Sequence, residues 1–125
     1  MIILSLAHVV NTLLVTALAS GLVMVGYRFG SERESPTWLA KLHGFAAVAA
    51  LAVLMFSWNQ ATPSRAAVMG VACLLSAAAL GLVLNLGYHW RHQPLPEGLV
   101  FTHMAIAFLG FLIVLLSMMS GAVPA

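Results

Sequence analysis

Apolar positions along this chain fall into four long runs, covering residues 2–28, 37–58, 66–90 and 98–120. Three short polar breaks separate them: Gly30 to Pro36, Asn59 to Arg65 and Arg91 to Glu97. Each run is long enough to cross a hydrocarbon layer as a helix, which takes about 20 residues. No run alternates polar with apolar residues, so the pattern does not predict strands. Proline in every break, at Pro36, Pro63, Pro94 and Pro96, marks the turns. The pattern predicts an all-α integral membrane protein, a four-helix bundle in one domain spanning 1–125. Short connections make consecutive helices antiparallel neighbours. The first run carries no basic residue before Arg28 and is far longer than the apolar part of a signal peptide, so it is expected to stay as a membrane helix.

Composition sharpens the membrane reading. Hydrophobic residues make up 62% of the chain and charged residues 6%, against roughly a quarter charged in a soluble domain. There is no aspartate, and the three acids, Glu32, Glu34 and Glu97, all lie in the breaks. The net charge of +2 comes with no basic cluster, which argues against nucleic acid. The lone Cys73 cannot form an internal disulfide. Four of the five basic residues, Arg28, Arg33, Lys41 and Arg91, gather at one end of the predicted bundle, and Arg65 sits at the other. The positive-inside rule then puts the basic end in the cytoplasm and both termini outside, as in a bacterial inner membrane. Tyr27, Trp38, Tyr88 and Trp90 collect at the basic end and Trp58 at the far end, as interfacial aromatics do.

The chain also repeats itself. SGLVMVGYRF at Ser20 to Phe29 aligns, with one inserted residue, on LGLVLNLGYHW at Leu80 to Trp90, and WLAKLHGFAA aligns on GLVFTHMAIA. Each unit is a helix pair, so the expected relation is a tandem repeat about an axis along the membrane normal. The blander account is that apolar helices resemble one another; the shared order of glycine, tyrosine, loop and histidine favours duplication.

The repeat places His43 and His103 at matched depth on helices two and four, ~9 Å and ~8 Å in from the basic end by helical rise. A ring that far inside an apolar segment needs a partner. Helices two and four are diagonal in a four-helix bundle, and two imidazoles opposed across a slot can be the axial ligands of a flat metal macrocycle. The ring edges are then expected against helices one and three, where Gly21 and Gly81 allow close approach, with Gly44 keeping the neighbourhood small. The competing readings are a packed, hydrogen-bonded histidine pair, and glycines that serve helix contact alone. Arg28, Lys41 and Arg91 stand where carboxylate side groups of such a ring would emerge, although the positive-inside rule alone accounts for them.

In layout, though only weakly in motif, this resembles the membrane-embedded b-type cytochromes, in which paired histidines on a four-helix core hold haem b. The resemblance spans all four runs and rests on His43 and His103. It implies one haem b, one-electron transfer with a quinone or a donor or acceptor protein, and membership of a larger membrane complex or a homo-oligomer. Many members of such families bind two haems through four ligands, and this chain offers no second matched pair. His8 has Val68 as its repeat partner; a His/Met site with Met118 or Met119 is the remaining option, and a structural interfacial His8 near Asn11 is the better one. His89 and His92, flanking Arg91, lie too shallow to face His103 and are expected as surface residues that exchange protons or meet haem carboxylates.

Two other classes compete. Four spans in so short a chain also resemble the small multidrug exporters, but those need a carboxylate inside the membrane, which is missing here; transport of haem itself stays open. A cofactor-free structural or assembly subunit would show only packing through small residues.

Overall fold

The computed structural model describes residues 2–31, 33–59 and 62–120, and among them it is helical with no strand. Four helices, α1 (Ile2–Val25), α2 (Thr37–Ser57), α3 (Arg65–Val83) and α4 (Glu97–Met119), run in the order the apolar pattern predicts. All four, with the turns that extend them, are long and apolar enough to cross a membrane: Leu6–Gly30, Thr37–Ser57, Arg65–Arg91 and Glu97–Met119.

The sequence pattern places the helix starts well. Pro36 and Pro96 are extended and immediately precede α2 and α4, as proline's missing N–H and fixed φ favour at a helix start. Ser64 caps α3, its hydroxyl accepting from the Ala67 N–H at 3.1 Å. The helix ends differ from expectation. Runs one and three were expected to be regular helices to residues 28 and 90. Instead α1 widens into a π-helical turn at Gly26–Gly30, and α3 into one at Leu84–Tyr88 followed by a 3₁₀ turn at His89–Arg91. Each wide turn contains a Gly-Tyr pair, and each tyrosine carbonyl is capped from the loop beyond, by Arg33 N–H on Tyr27 and Gln93 N–H on Tyr88. His92 closes the second turn with φ 52°, the left-handed conformation that ends helices.

Packing divides the bundle into two hairpins. α1 lies along α2 and α3 along α4, while the hairpins meet each other more sparsely, through α2–α3 and α1–α4. What joins them is a cluster at the end away from the basic residues. Val10 and Leu14 of α1, Leu51 and Leu54 of α2, Val71 of α3 and Val114 of α4 are all buried there. Within the second hairpin the helices touch at backbone distance. A Cβ on Gly110 would lie 3.0 Å from the Gly70 carbonyl oxygen, and one on Gly70 would lie 3.1 Å from the Val114 nitrogen. The outer surface is largely apolar, with Phe45, Val48, Met69 and Leu116 among the exposed residues.

Because backbone atoms cannot yield as a flexible side chain can, Gly110→Ala should force α3 and α4 apart. Overpacking of this kind costs about 1–3 kcal/mol, which outweighs the roughly 1 kcal/mol that alanine gains in helix propensity. A lower thermal midpoint for Gly110→Ala is the expected result; an unchanged or higher one would show that the helices do not cross at this glycine.

Candidate functional site

His43 and His103 come together. Their ring centres are 6.0 Å apart and their planes make an angle of 71°. Neither ring projects from its helix unsupported. The Nδ1 of His43 is 2.8 Å from the carbonyl oxygen of Ala17 on α1, and the Nδ1 of His103 is 2.8 Å from that of Ala77 on α3. The two contacts are copies of one another: both span 26 residues, and Ala17, Ala77, His43 and His103 keep the sixty-residue offset.

A carbonyl oxygen can only accept, so each Nδ1 must carry the proton and donate it. That fixes the neutral tautomer and leaves each Nε2 with a bare lone pair. Among the described residues neither Nε2 has a hydrogen-bond partner. Both rings are packed and hydrogen-bonded, as the packing alternative also expects, but to backbone carbonyls and not to one another, since two unprotonated nitrogens have no hydrogen to share. What such a pair can accept is a cation or a proton. Donation of the other ring N–H to a backbone carbonyl is also the usual support for a metal-ligating histidine.

Gly21 and Gly81 explain how the rings reach those carbonyls. Each lies one helical turn beyond its alanine. A Cβ on Gly21 would sit 3.1 Å from His43 Cε1, and one on Gly81 would sit 3.0 Å from His103 Cε1. The glycines therefore seat the imidazoles themselves against α1 and α3, a different neighbour from the ring edge expected of them. Each histidine thus occupies the groove of its own hairpin, and the line between the rings runs from one hairpin to the other. A Cβ on Gly44 would meet nothing within 4 Å, so that glycine takes no part in seating either ring.

The 6.0 Å between ring centres is a separation that two imidazoles on one iron would also have. Two metal–nitrogen bonds of about 2 Å, plus about 1 Å from each nitrogen to its ring centre, put opposed imidazole ligands about 6 Å apart. The described residues contain no group of three or more His, Cys, Asp or Glu that could hold a metal ion.

The other residues singled out from the sequence are dispersed. Arg28 reaches across the bundle and donates from Nη2 to the Leu95 carbonyl at 3.3 Å, tying α1 to the loop before α4. Lys41 and Arg91 are exposed at the same end. His92 is exposed, with its Nδ1 3.8 Å from the Glu34 carboxylate, and His89 is half-buried in the 3₁₀ turn. Glu32 lies outside the described residues. His8 is on the exposed side of α1, whereas Met118 packs against the core cluster and Met119 is exposed. The sequence reading did not single out Phe29 and Phe101, whose rings stack at 5.4 Å between the end of α1 and α4. It also missed the Ala17 and Ala77 carbonyls.

No protein-family model, curated protein or solved structure matches this chain.

Histidine ¹⁵N NMR of the cofactor-free protein tests the tautomer. His43 and His103 should both carry their proton on Nδ1, and Gly81→Val should disturb only the His103 signal. Protons on Nε2 would remove the lone pairs on which the site depends.

Proposed function

We propose that this chain is an integral membrane protein that holds one haem b between His43 and His103 and works in one-electron transfer. The observation that carries the reading is the pair of imidazoles 6.0 Å apart, each with Nδ1 engaged by a carbonyl and Nε2 without a partner. The membrane setting is supported by four helices of sufficient length and by the apolar outer surface. In water that surface would be a severe aggregation hazard; in lipid it is the expected one. A tandem duplication of a helix hairpin is supported by the matching Ala, Gly and His positions at one offset.

The protein's part in the chemistry is positional. Ala17 and Ala77 orient the two imidazoles, and hydrogen bonding of Nδ1 raises the basicity of Nε2 as a ligand. Gly21 and Gly81 supply the clearance that lets the Cε1–Nδ1 edge of each ring approach α1 and α3 closely enough to do so. The cluster around Val10, Leu54, Val71 and Val114 holds the hairpins together beyond the site. Lys41 and Arg91 give the basic end exposed cations suited to carboxylate side groups. Haem b held by His43 and His103 would supply reversible one-electron oxidation and reduction. The partner would be a quinone or a donor or acceptor protein, and the basic end, by the positive-inside rule, faces the cytoplasm.

The purified protein should show a reversible low-spin b-type spectrum. His43→Ala and His103→Ala should each abolish it, while His92→Ala should leave it intact. Loss of the spectrum in His92→Ala with retention in either of the other variants would place the ligands elsewhere. Ring planes at 71° should also give the oxidised protein the strongly anisotropic low-spin EPR signal of near-perpendicular imidazoles. A rhombic signal typical of parallel rings would show that the pair turns on binding.

A further inference from the structure

We infer that the exposed face of α1 is an interface with a second copy of this chain. The inference rests on the membrane part of the proposed function and is independent of haem.

The face carries His8, Asn11, Thr12, Val15, Ala19 and Leu22, all exposed. At helical spacing these positions form one stripe, opposite the buried Val10, Leu14 and Ala17. Its polarity is out of place. Asn11 lies nine residues into α1, which starts at Ile2, ~14 Å along it by helical rise. The Thr12 and Thr16 hydroxyls donate to carbonyls of their own helix, at His8 and Thr12. The Asn11 carboxamide has no such outlet: among the described residues it has no hydrogen-bond partner. An amide that faces hydrocarbon without a partner is costly.

The matching face of α3 serves as an internal control. At the sixty-residue offset stand Val68, Ala72, Leu75, Ala79 and Leu82, all exposed and none with a polar side-chain atom. One helix of the pair thus has an ordinary lipid-facing surface, while its counterpart has His8 and Thr12 where α3 has Val68 and Ala72. The position matching Asn11 is Val71, which is 3% exposed. Ser76, at the offset of Thr16, is also exposed and donates to the Ala72 carbonyl; the imidazole of His8 and the carboxamide of Asn11 are what α3 does not match.

A second copy is the occupant that the chemistry favours. A carboxamide both donates and accepts, so it is complementary to another like it. Two chains inserted in the same direction and related by a two-fold axis along the membrane normal present the same residue to each other at the same depth. Asn11 then meets Asn11, flanked by the small Ala19 and the branched Val15 that allow two helices to approach.

Cysteine crosslinking in lipid vesicles tests this. In a Cys73→Ala background, Val15→Cys should form a disulfide-linked dimer, and Leu75→Cys on the matching α3 face should not. Adding Asn11→Leu should weaken dimer formation by about tenfold, the usual effect of losing an interhelical hydrogen bond in a membrane, and Asn11→Gln should preserve it. Asn11→Leu is a lipid-compatible change on an exposed face, so loss of folding does not confound it. Equal crosslinking at positions 15 and 75, dimers indifferent to Asn11→Leu, or an adduct with a different protein would overturn the inference. A membrane-bound monomer overturns the dimer alone; recovery of the protein without membranes overturns the membrane reading beneath it.

Discussion

The hydrogen bond from a histidine Nδ1 to a carbonyl on the preceding helix is the contact on which the rest of this structure turns. It occurs twice, at 2.8 Å each time. It joins α1 to α2 and α3 to α4 near the basic end, where the core cluster does not reach. It decides which ring nitrogen holds the proton, and therefore which is left to bind something else. It also explains two glycines, because a side chain at Gly21 or Gly81 would crowd the ring that makes the bond. A buried polar group without this support would be a liability in so apolar a protein; with it, the ring is held in one orientation.

The two ends of the bundle divide the labour. Away from the basic residues, interlocking Val, Leu and Ala side chains from all four helices close the hairpins on one another, and Gly70 and Gly110 bring α3 against α4 at backbone distance. Toward the basic end the hairpins are linked by narrower means: the histidine pair, the Phe29–Phe101 stack and the Arg28–Leu95 hydrogen bond. That asymmetry suits a site in which a flat group is received between two preformed halves. Each half already fixes the orientation of its own imidazole, so under the proposed function little ordering would be left for the moment of binding.

The helices were legible because their apolar runs have no competing periodicity and because proline marks the starts of α2 and α4 at Pro36 and Pro96; the Ser64 cap of α3 was read only from the structure. His43 and His103 stood out in the sequence because they lie sixty residues apart in similar stretches, whereas one histidine in an apolar helix says little. The carbonyls of Ala17 and Ala77 were not legible, since every residue has a carbonyl and sequence does not say which one a ring will find. The glycines were recognised as places of close approach, but the neighbour that approaches was settled only by seeing which side of α1 and α3 each imidazole lies on. The wide turns at Gly26–Gly30 and Leu84–Tyr88 escaped notice because a run of apolar residues looks the same whether its hydrogen bonds reach four residues or five. In hindsight the Gly-Tyr pair shared by both turns was the available signal.

Titration of the cofactor-free protein with haem tests most directly whether two imidazoles are set to take one iron. Saturation at one haem per chain, with a six-coordinate low-spin product formed without an intermediate five-coordinate species, is the expected result. Failure to bind, or a stable five-coordinate product with a single histidine ligand, would contradict it.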